Sequence, residues 1–299
     1  MKDVFERLLK HCVEVYSGRI GRKGMPYIVH PLALMSAVMP LPEIIVALTH
    51  DYGEFRDTGE LAELGVPPAM LERIDRLAKH FPDDVPETDP RYCEYIWNLL
   101  GDPVCRRIKY YDLLTNDGFE DSPAADGRRR TGEYPRVMNL LGDGVLNGRL
   151  YFCSQSLYFD VFSNFYEEPL EIGGELWKSG EHYYQAAKFA EESVCADRQT
   201  FHEIRCASTP GEAKLLADTR LRAMSPPSPE DRLKVMETML RVKFAPGTRM
   251  HRRLLQTGEL NLIHLSQKDF FWGQNRAGEG QNHLGCLLMR LRGESQMIR

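Results

Sequence analysis

Glu181, Tyr184, Gln185 and Lys188 stand at i, i+3, i+4 and i+7 in the string GEHYYQAAKF, residues 180–189. If the string is helical, all four share one face. A carboxylate near a helix N-terminus is favoured as an anion by the aligned peptide dipoles. A lysine two turns later becomes a nucleophile where burial lowers its pKa. The bland reading is a Glu–Lys surface face with aromatics turned inward. Tyr183, Tyr184 and Phe189 flank the face, and Trp177 lies just before it. These rings either stack on a nucleobase or fill a core. FSNFY (162–166) adds Ser163, Asn164 and Phe165 as binding candidates. DFFWGQNRAGEGQNHLG (269–285) adds Trp272, Gly273 and Asn282 on a glycine-punctuated loop that enters a helix. Such glycines let a backbone approach a phosphate or ribose, and the helix start after Asn282 favours an anion. A plain helix-entry loop accounts for the same string.

A second constellation lies in the first half: His30 in PYIVHPL, the doublet His50-Asp51 in ALTHDYGE, and Asp112 in RIKYYD. Imidazoles and carboxylates suit Mn, Mg, Fe or Zn, and three or four can fix one ion while leaving positions for water and phosphate. Each histidine taken alone reads equally as a hydrogen-bonded core residue.

The elements that must carry these residues differ between the halves. Apolar spacing predicts helices over 4–16, 31–38, 43–51, 68–80, 92–100 and 103–114, with almost no strand signal. Residues 121–135, DSPAADGRRRTGEYP, are polar and without periodicity, and read as the core of a flexible linker over 121–148. Arg128–Arg130 within it are a solvated run or a phosphate-contacting strap. Strand-like runs at 149–152 and 170–172 then precede helices over 182–192, 210–218, 229–244, 250–255 and 284–291. The second half is thus predicted α+β and mainly helical.

Length and composition narrow the class. The 299 residues suit two domains, each with its own core, and carry a net charge of −5. The acidic excess lies before residue 121, and neither half is the basic body of a general nucleic-acid binder. Seven widely spaced cysteines without a CxxC pair argue against a disulfide framework or a structural zinc and favour a reducing cytoplasm. No apolar run reaches the roughly 18 residues of a membrane span, and the opening MKDVFERLLKHCVEVY reads as an amphipathic helix without a signal-peptide core.

Taken in order, FSNFY, W-x-x-x-EHYYQAAKF, ASTPGEAK (207–214), RVKF (241–244), LLQTGEL (254–260), DFFWG and G-x-G-x-N-x-LG resemble the NADAR family, also described as YbiA-like. The resemblance spans nearly all of 151–292. It implies hydrolysis of an N-glycosidic bond, with ADP-ribose on guanine bases and ribosylamine intermediates of riboflavin synthesis as substrate classes. It places the family's Glu on Glu181 and its Lys on Lys188, and requires no metal. Gln274 follows Gly273 where the family often carries Asp, so a carboxylate is missing from that loop.

GRKGMPYIVHPL, VALTHDYGE and CRRIKYYDLLTN resemble the HD superfamily, in the branch of small guanosine-tetraphosphate hydrolases related to RelA/SpoT proteins. That resemblance covers about 5–116. It implies an all-α metal phosphohydrolase with His30, His50, Asp51 and Asp112 as ligands, and Lys109 and Asn116 as matching neighbours. The branch carries an acidic pair after the doublet that positions the attacking water. Here Glu54 is present and Phe55 follows it, and Asp57 is the candidate substitute.

The expectation is therefore a two-domain cytoplasmic hydrolase: an all-α HD-type domain over 1–120, a linker over 121–148, and a NADAR domain over 149–299. Glu181, Lys188 and Glu54 are the catalytic candidates. A ribosyl or ADP-ribosyl nucleotide is the expected ligand, free or on nucleic acid, and a divalent metal is expected in the first domain alone. The competing reading is an ADP-ribose- or NAD-binding module that regulates a nucleotide hydrolase or sensor.

Overall fold

The computed structural model describes residues 1–21, 24–82, 85–117, 135–142 and 144–297. Arg128–Arg130 and most of the expected linker lie outside the described residues. The chain divides into two compact units, Met1–Asn147 and Gly148–Arg299.

The first unit is helical: α1 (Lys2–Val15), α2 (Val29–Met35), α3 (Leu41–Thr49), α4 (Gly59–Glu63), α5 (Pro68–Leu77), α6 (Pro90–Leu100), α7 (Pro103–Asp117) and α8 (Pro135–Gly142). Proline opens α5 and α6 at positions whose N–H would have no helical partner, and the Asp89 side chain caps α6 by accepting the Arg91 N–H. Met70, Ile74 and Leu77 on α5 bury one stripe, as 3.6-residue periodicity dictates. α7 is the central element, packing on α2, α3, α5, α6 and α8.

Two expectations change here. Residues 135–142 and 145–147, assigned to the linker from sequence, form α8 and a 3-10 turn (Val145–Asn147) and belong to the first unit. Val137 and Leu141, four apart, bury one face of α8. Asp57 does not reach the site either. Its carboxylate accepts the Gly59 N–H, where it closes the entry to α4.

The second unit holds β1 (Arg149–Phe152), β2 (Leu170–Ile172), β3 (Glu175–Trp177), α9 (Gly180–Ala187), α10 (Arg198–Cys206), α11 (Pro210–Leu221), α12 (Pro229–Lys243), α13 (Arg249–Gln256), β4 (Asn261–His264) and α14 (His283–Met297). β1 pairs in parallel with β4, and β2 with β3 as an antiparallel hairpin. Ser179, Asp197, Thr209, Ser228 and Thr248 each cap a helix by accepting an N–H of its first turn. α9 is surrounded by α10, α11, α12 and β3. Phe152, Phe162, Phe189, Leu240, Leu262 and Leu288 are buried in the core of this unit, each contributing about 1.5–3 kcal/mol of transfer free energy. Among the described residues no helix is long and apolar enough to cross a membrane.

Candidate functional site

α9 inverts the usual amphipathic rule, because its polar face is buried. Glu181 is 5% and Gln185 1% exposed. The helix ends at Ala187, earlier than the spacing predicts, but Lys188 keeps helical dihedrals as its C-cap. The four-residue face therefore survives. It lines a cavity of about 410 Å³ together with Ser163, Asn164, Phe165 and Trp272.

A chain of hydrogen bonds joins the chemistry. The Gln185 Nε2 donates to Glu181 Oε1 at 2.6 Å, and the Lys188 Nζ donates to Gln185 Oε1 at 2.6 Å. This amide orientation alone satisfies both neighbours, since a carboxylate only accepts. Both ends of the Gln185 amide are thus committed to bridging the carboxylate and the amine. Burial pushes Glu181 above the usual carboxylate range, against the opposing pull of the Gln185 hydrogen bond, Lys214 and Lys188. Burial likewise drives Lys188 down to about 8, with Glu181 opposing and Lys214 assisting. Both shifts favour the neutral forms of the two groups.

The surrounding fold fixes that chain in place. The Glu181 N–H donates to Asn164 O at 2.9 Å, tying the first turn of α9 to the FSNFY loop. The buried Lys243 Nζ donates to Ser163 O at 2.7 Å and holds the same loop from α12. The Lys188 Nζ lies 4.7 Å from the Tyr184 ring centre, and Trp272 Nε1 donates to the Tyr184 hydroxyl at 3.1 Å.

Three expected binding residues lie elsewhere. Trp177 is a core residue: its Nε1 donates to Ile172 O, and Tyr183 and Phe201 pack edge-on against it. Asn282 is a backbone clip. Its Oδ1 accepts the His264 N–H at 2.9 Å and its Nδ2 donates to Leu262 O at 2.9 Å. Gly273 does not line the cavity; a Cβ there would sit 2.5 Å from His264 O. The glycines of this loop thus serve backbone-on-backbone packing. A Cβ on Gly280 would collide with Gly273 O, and one on Gly285 with Leu262 O. Gln274 bonds through its backbone to His264 and Ser266. Sequence reasoning missed Lys214, Asp218, Arg232, Met236, His264, Lys268 and Asp269, which also line the cavity. Lys214, which ends the ASTPGEAK string, and Asp269, which opens DFFWG, were the two that lay in quoted strings.

The first unit contains its own cluster. His30 on α2, His50 capping α3, Asp51 beyond it and Asp112 on α7 converge. His30 Nε2 lies 3.1 Å from His50 Nε2 and 3.2 Å from Asp112 Oδ1, and His50 Nε2 lies 3.1 Å from Asp51 Oδ2. Such separations fit donor atoms sharing one ion at bonds of about 2.1 Å. The Nδ1 of His50 faces Ala47 O at 2.9 Å, which fixes the tautomer and leaves Nε2 for the cluster. Tyr27 donates to Asp51, while Lys109 and Asn116 donate to Asp112. Burial disfavours His50 protonation, but Asp51 and Asp112 outweigh it and raise His50 to about 10. Glu54, Phe55, Lys109 and Asn116 line the adjoining cavity of about 510 Å³. Phe55 is held edge-on by Tyr16 and Tyr27, with Arg19 over its face at 4.4 Å.

The family model described as NADAR domain matches residues 151–295. The N-glycosidase YbiA of Escherichia coli (strain K12) is 32% identical over 157 residues, covering 52% of this chain and 92% of that protein. The chloroplastic riboflavin biosynthesis protein PYRR of Zea mays is 35% identical over 145 residues, which cover 46% of this chain and 23% of that protein. The NMR structure of the E. coli protein YbiA aligns with a TM-score of 0.43 at 33% identity, covering 50% of this chain and 84% of that one. With more than nine-tenths of a YbiA protein covered at this identity, the chain belongs, through residues 151–295, to the NADAR family.

Proposed function

We propose that the second unit hydrolyses an N-glycosidic bond of a ribosyl or ADP-ribosyl nucleotide, ADP-ribosylated guanine being the leading substrate. The Glu181–Gln185–Lys188 chain carries this reading, because it sets a carboxyl group of raised pKa and an amine of lowered basicity on one cavity wall. The N-glycosidase names of several relatives support it.

The neutral Lys188 amine attacks C1 of the sugar. The C1–N bond to the base breaks, and the base leaves with a proton delivered by Glu181. The lysine nitrogen loses a proton as the ring oxygen gains one, leaving an open-chain Schiff base. Water adds to it, the C1–Nζ bond breaks, and the free sugar departs. Glu181 returns to its starting state by taking back one proton. Its carboxylate form also stabilises positive charge at C1.

The test presents the protein with ADP-ribosylated guanosine, ADP-ribosylated DNA and a riboflavin-pathway ribosylamine, with and without borohydride. Base release and a trapped adduct on Lys188 are expected, and Lys188→Ala abolishes the adduct. Release from none of the three favours an ADP-ribose- or NAD-binding regulatory module instead. Preference for the ribosylamine moves the assignment to the riboflavin-type substrate, which the names of two relatives favour.

The donor geometry of the first unit supports a second proposed activity, a metal-dependent phosphohydrolase of the HD type. His30, His50, Asp51 and Asp112 would hold the divalent ion, Lys109 and Asn116 orient Asp112, and Glu54 stands ready to accept a proton. A bound ion would neutralise phosphate charge and acidify water. Manganese is expected to raise the melting temperature of the full chain, and Asp112→Asn to remove that gain. Equal stabilisation of both proteins would sink the assignment.

A further inference from the structure

Resting on the glycosidase reading of the second unit, we infer that Tyr184 is a further catalytic residue: its hydroxyl donates a hydrogen bond to the departing base. The group it selects is a planar heterocycle with a carbonyl oxygen or ring nitrogen free to accept. No step described above uses this hydroxyl.

The direction of its proton follows from what surrounds it. Tyr184 is 4% exposed and lines the cavity of the second unit. The Trp272 Nε1 donates to its oxygen at 3.1 Å, and the Arg232 guanidinium is hydrogen-bonded to it as well. An indole N–H and a guanidinium are donors only. Both lone pairs of the phenol oxygen are therefore taken, and neither neighbour can receive its proton. Among the described residues no acceptor is in hydrogen-bond contact with the hydroxyl. The O–H is left to meet whatever fills the cavity.

The same two donors prepare the hydroxyl for its role. N–H groups drawing on the oxygen polarise the O–H, because hydrogen bonds in a chain strengthen one another. Burial lifts the phenol above its ordinary range, with Arg232 and Trp272 opposing, so it keeps its proton at neutral pH. It serves as a donor and not as the acid. The Trp272 ring meets the Tyr184 ring edge-on at 5.5 Å between centres, and Arg232 is stacked 3.9 Å from the Phe271 ring centre. Both donors are thus held in place.

Placement decides which part of the ligand receives the bond. The Lys188 Nζ lies over the same ring, 4.7 Å from its centre, so the hydroxyl is within one ring of the amine that would attack C1. Two groups meet at C1, the sugar and the base. Ser163 and Asn164, polar groups suited to a sugar, line the cavity where Asn164 O binds the Glu181 N–H. The hydroxyl end of Tyr184 is bounded instead by the Trp272 indole and the flat Arg232 guanidinium, surfaces that suit a planar heterocycle. As the C1–N bond breaks, its electron pair passes to the base. Glu181 supplies the proton as before, and the Tyr184 hydrogen bond stabilises the charge that develops on the base meanwhile. No proton leaves the phenol, so the balance of the proposed steps is unchanged.

The test compares Tyr184→Phe with a full chain that carries 3-fluorotyrosine at position 184, on whichever substrate named above releases base. Tyr184→Phe should lower kcat at least about tenfold and leave KM within about threefold, since a donor that acts on the transition state moves kcat alone. The midpoint of its pH–rate profile should stay near 8, because Lys188 keeps its burial. Fluorination keeps every contact of the hydroxyl and makes it more acidic, so kcat should rise about twofold. A hydroxyl that merely props Trp272 and Arg232 would leave the fluorinated protein at the wild-type rate. That result, or a Tyr184→Phe kcat within about threefold of wild type, overturns the proposal, and the fluorinated protein alone decides should Tyr184→Phe unfold. Fluorine NMR of the same protein reads the contact without turnover: guanosine should shift the resonance and ribose should not. A resonance that guanosine leaves in place, or that ribose moves equally, overturns it too. The glycosidase reading fails separately: a protein that releases no base, yet shows the guanosine shift, loses the reaction and keeps the donor.

Discussion

Each unit buries a lysine beside a carboxylate, and the two pairs behave in opposite ways. Lys109 donates directly to Asp112 at 2.7 Å. Burial pulls Lys109 down, but Asp112 outweighs it and holds the ammonium well above its usual range, while Asp112 is held well below its own. Lys188 and Glu181 have Gln185 between them. With the charges one amide apart, burial wins and both groups move toward neutrality. A direct pair makes fixed charges, suited to holding a cation in place. An interposed neutral amide makes a movable proton, suited to acid–base and nucleophilic work. The lesson is that burial alone does not set the protonation state; the separation of the partners does.

The largest effect is expected where the direct pair is broken. Lys109→Met leaves Asp112 buried without its ammonium, and losing one partner of a buried ion pair costs about 3–5 kcal/mol. His30 and His50 remain beside Asp112, so the low end of that range is expected. Denaturant unfolding in chelator, followed by amide exchange in α6 and α7, measures it. A loss below about 1 kcal/mol would mean that the pair does not pin its charges.

The contrast is sharpened by converting the second pair into the first. Gln185→Glu sets a carboxylate directly against Lys188 and should raise the lysine from about 8 toward its ordinary value near 10.4. In the proposed mechanism the nucleophile is the neutral amine, so the rate should rise with pH through the lysine pKa. Moving that pKa up carries the rise to alkaline pH. Near pH 7.5 the rate falls about a hundredfold, because the neutral fraction drops roughly tenfold each time the lysine pKa climbs by one. A pH–rate profile that keeps its midpoint near 8 would show that Gln185 is not what separates the charges.

Much of this was readable from the residues alone, and the failures have physical causes. The Glu181–Lys188 face was legible because helical periodicity places those side chains together whatever surrounds them. The bridging by Gln185 was not, because it depends on which rotamers the packing selects. Trp177 and Asn282 belong to strings that mark the family, yet one fills the core and the other clips β4. A string cannot tell a residue the reaction needs from one the fold needs. Arg232 comes more than forty residues after Lys188, and only the docking of α12 on α9 brings it into the cavity. The helix at 135–142 was hidden in a polar stretch, where Val137 and Leu141 are few signals for two turns. In the first unit the converging His and Asp side chains were named one by one, but the Phe55–Tyr16–Tyr27 cluster beside their cavity needs three separate segments to meet.

A third buried lysine tests the same rule through the pH dependence of stability. Lys243 is 2% exposed and donates to a neutral carbonyl, Ser163 O, with no carboxylate in contact. Burial lowers it to about 7, with only partial opposition from Glu168 and Asp160. Its unfolded value is near 10.4. Between those two values the unfolded chain binds the proton and the folded chain does not, so stability rises with pH across that window. Below pH 7 both states carry the proton and the full cost of the buried charge remains. The slope contributed is at most about 1.4 kcal/mol per pH unit. Lys243→Met should remove that slope from the second unit, so that the wild type gains stability on the variant from pH 7 to pH 10 and the two run parallel below pH 6. If the two curves stay parallel across the whole range, Lys243 keeps its charge when buried. Burial without a partner would then not be enough to neutralise a lysine in this unit, and the account of Lys188 would have to rest on Lys214 and Arg232 instead.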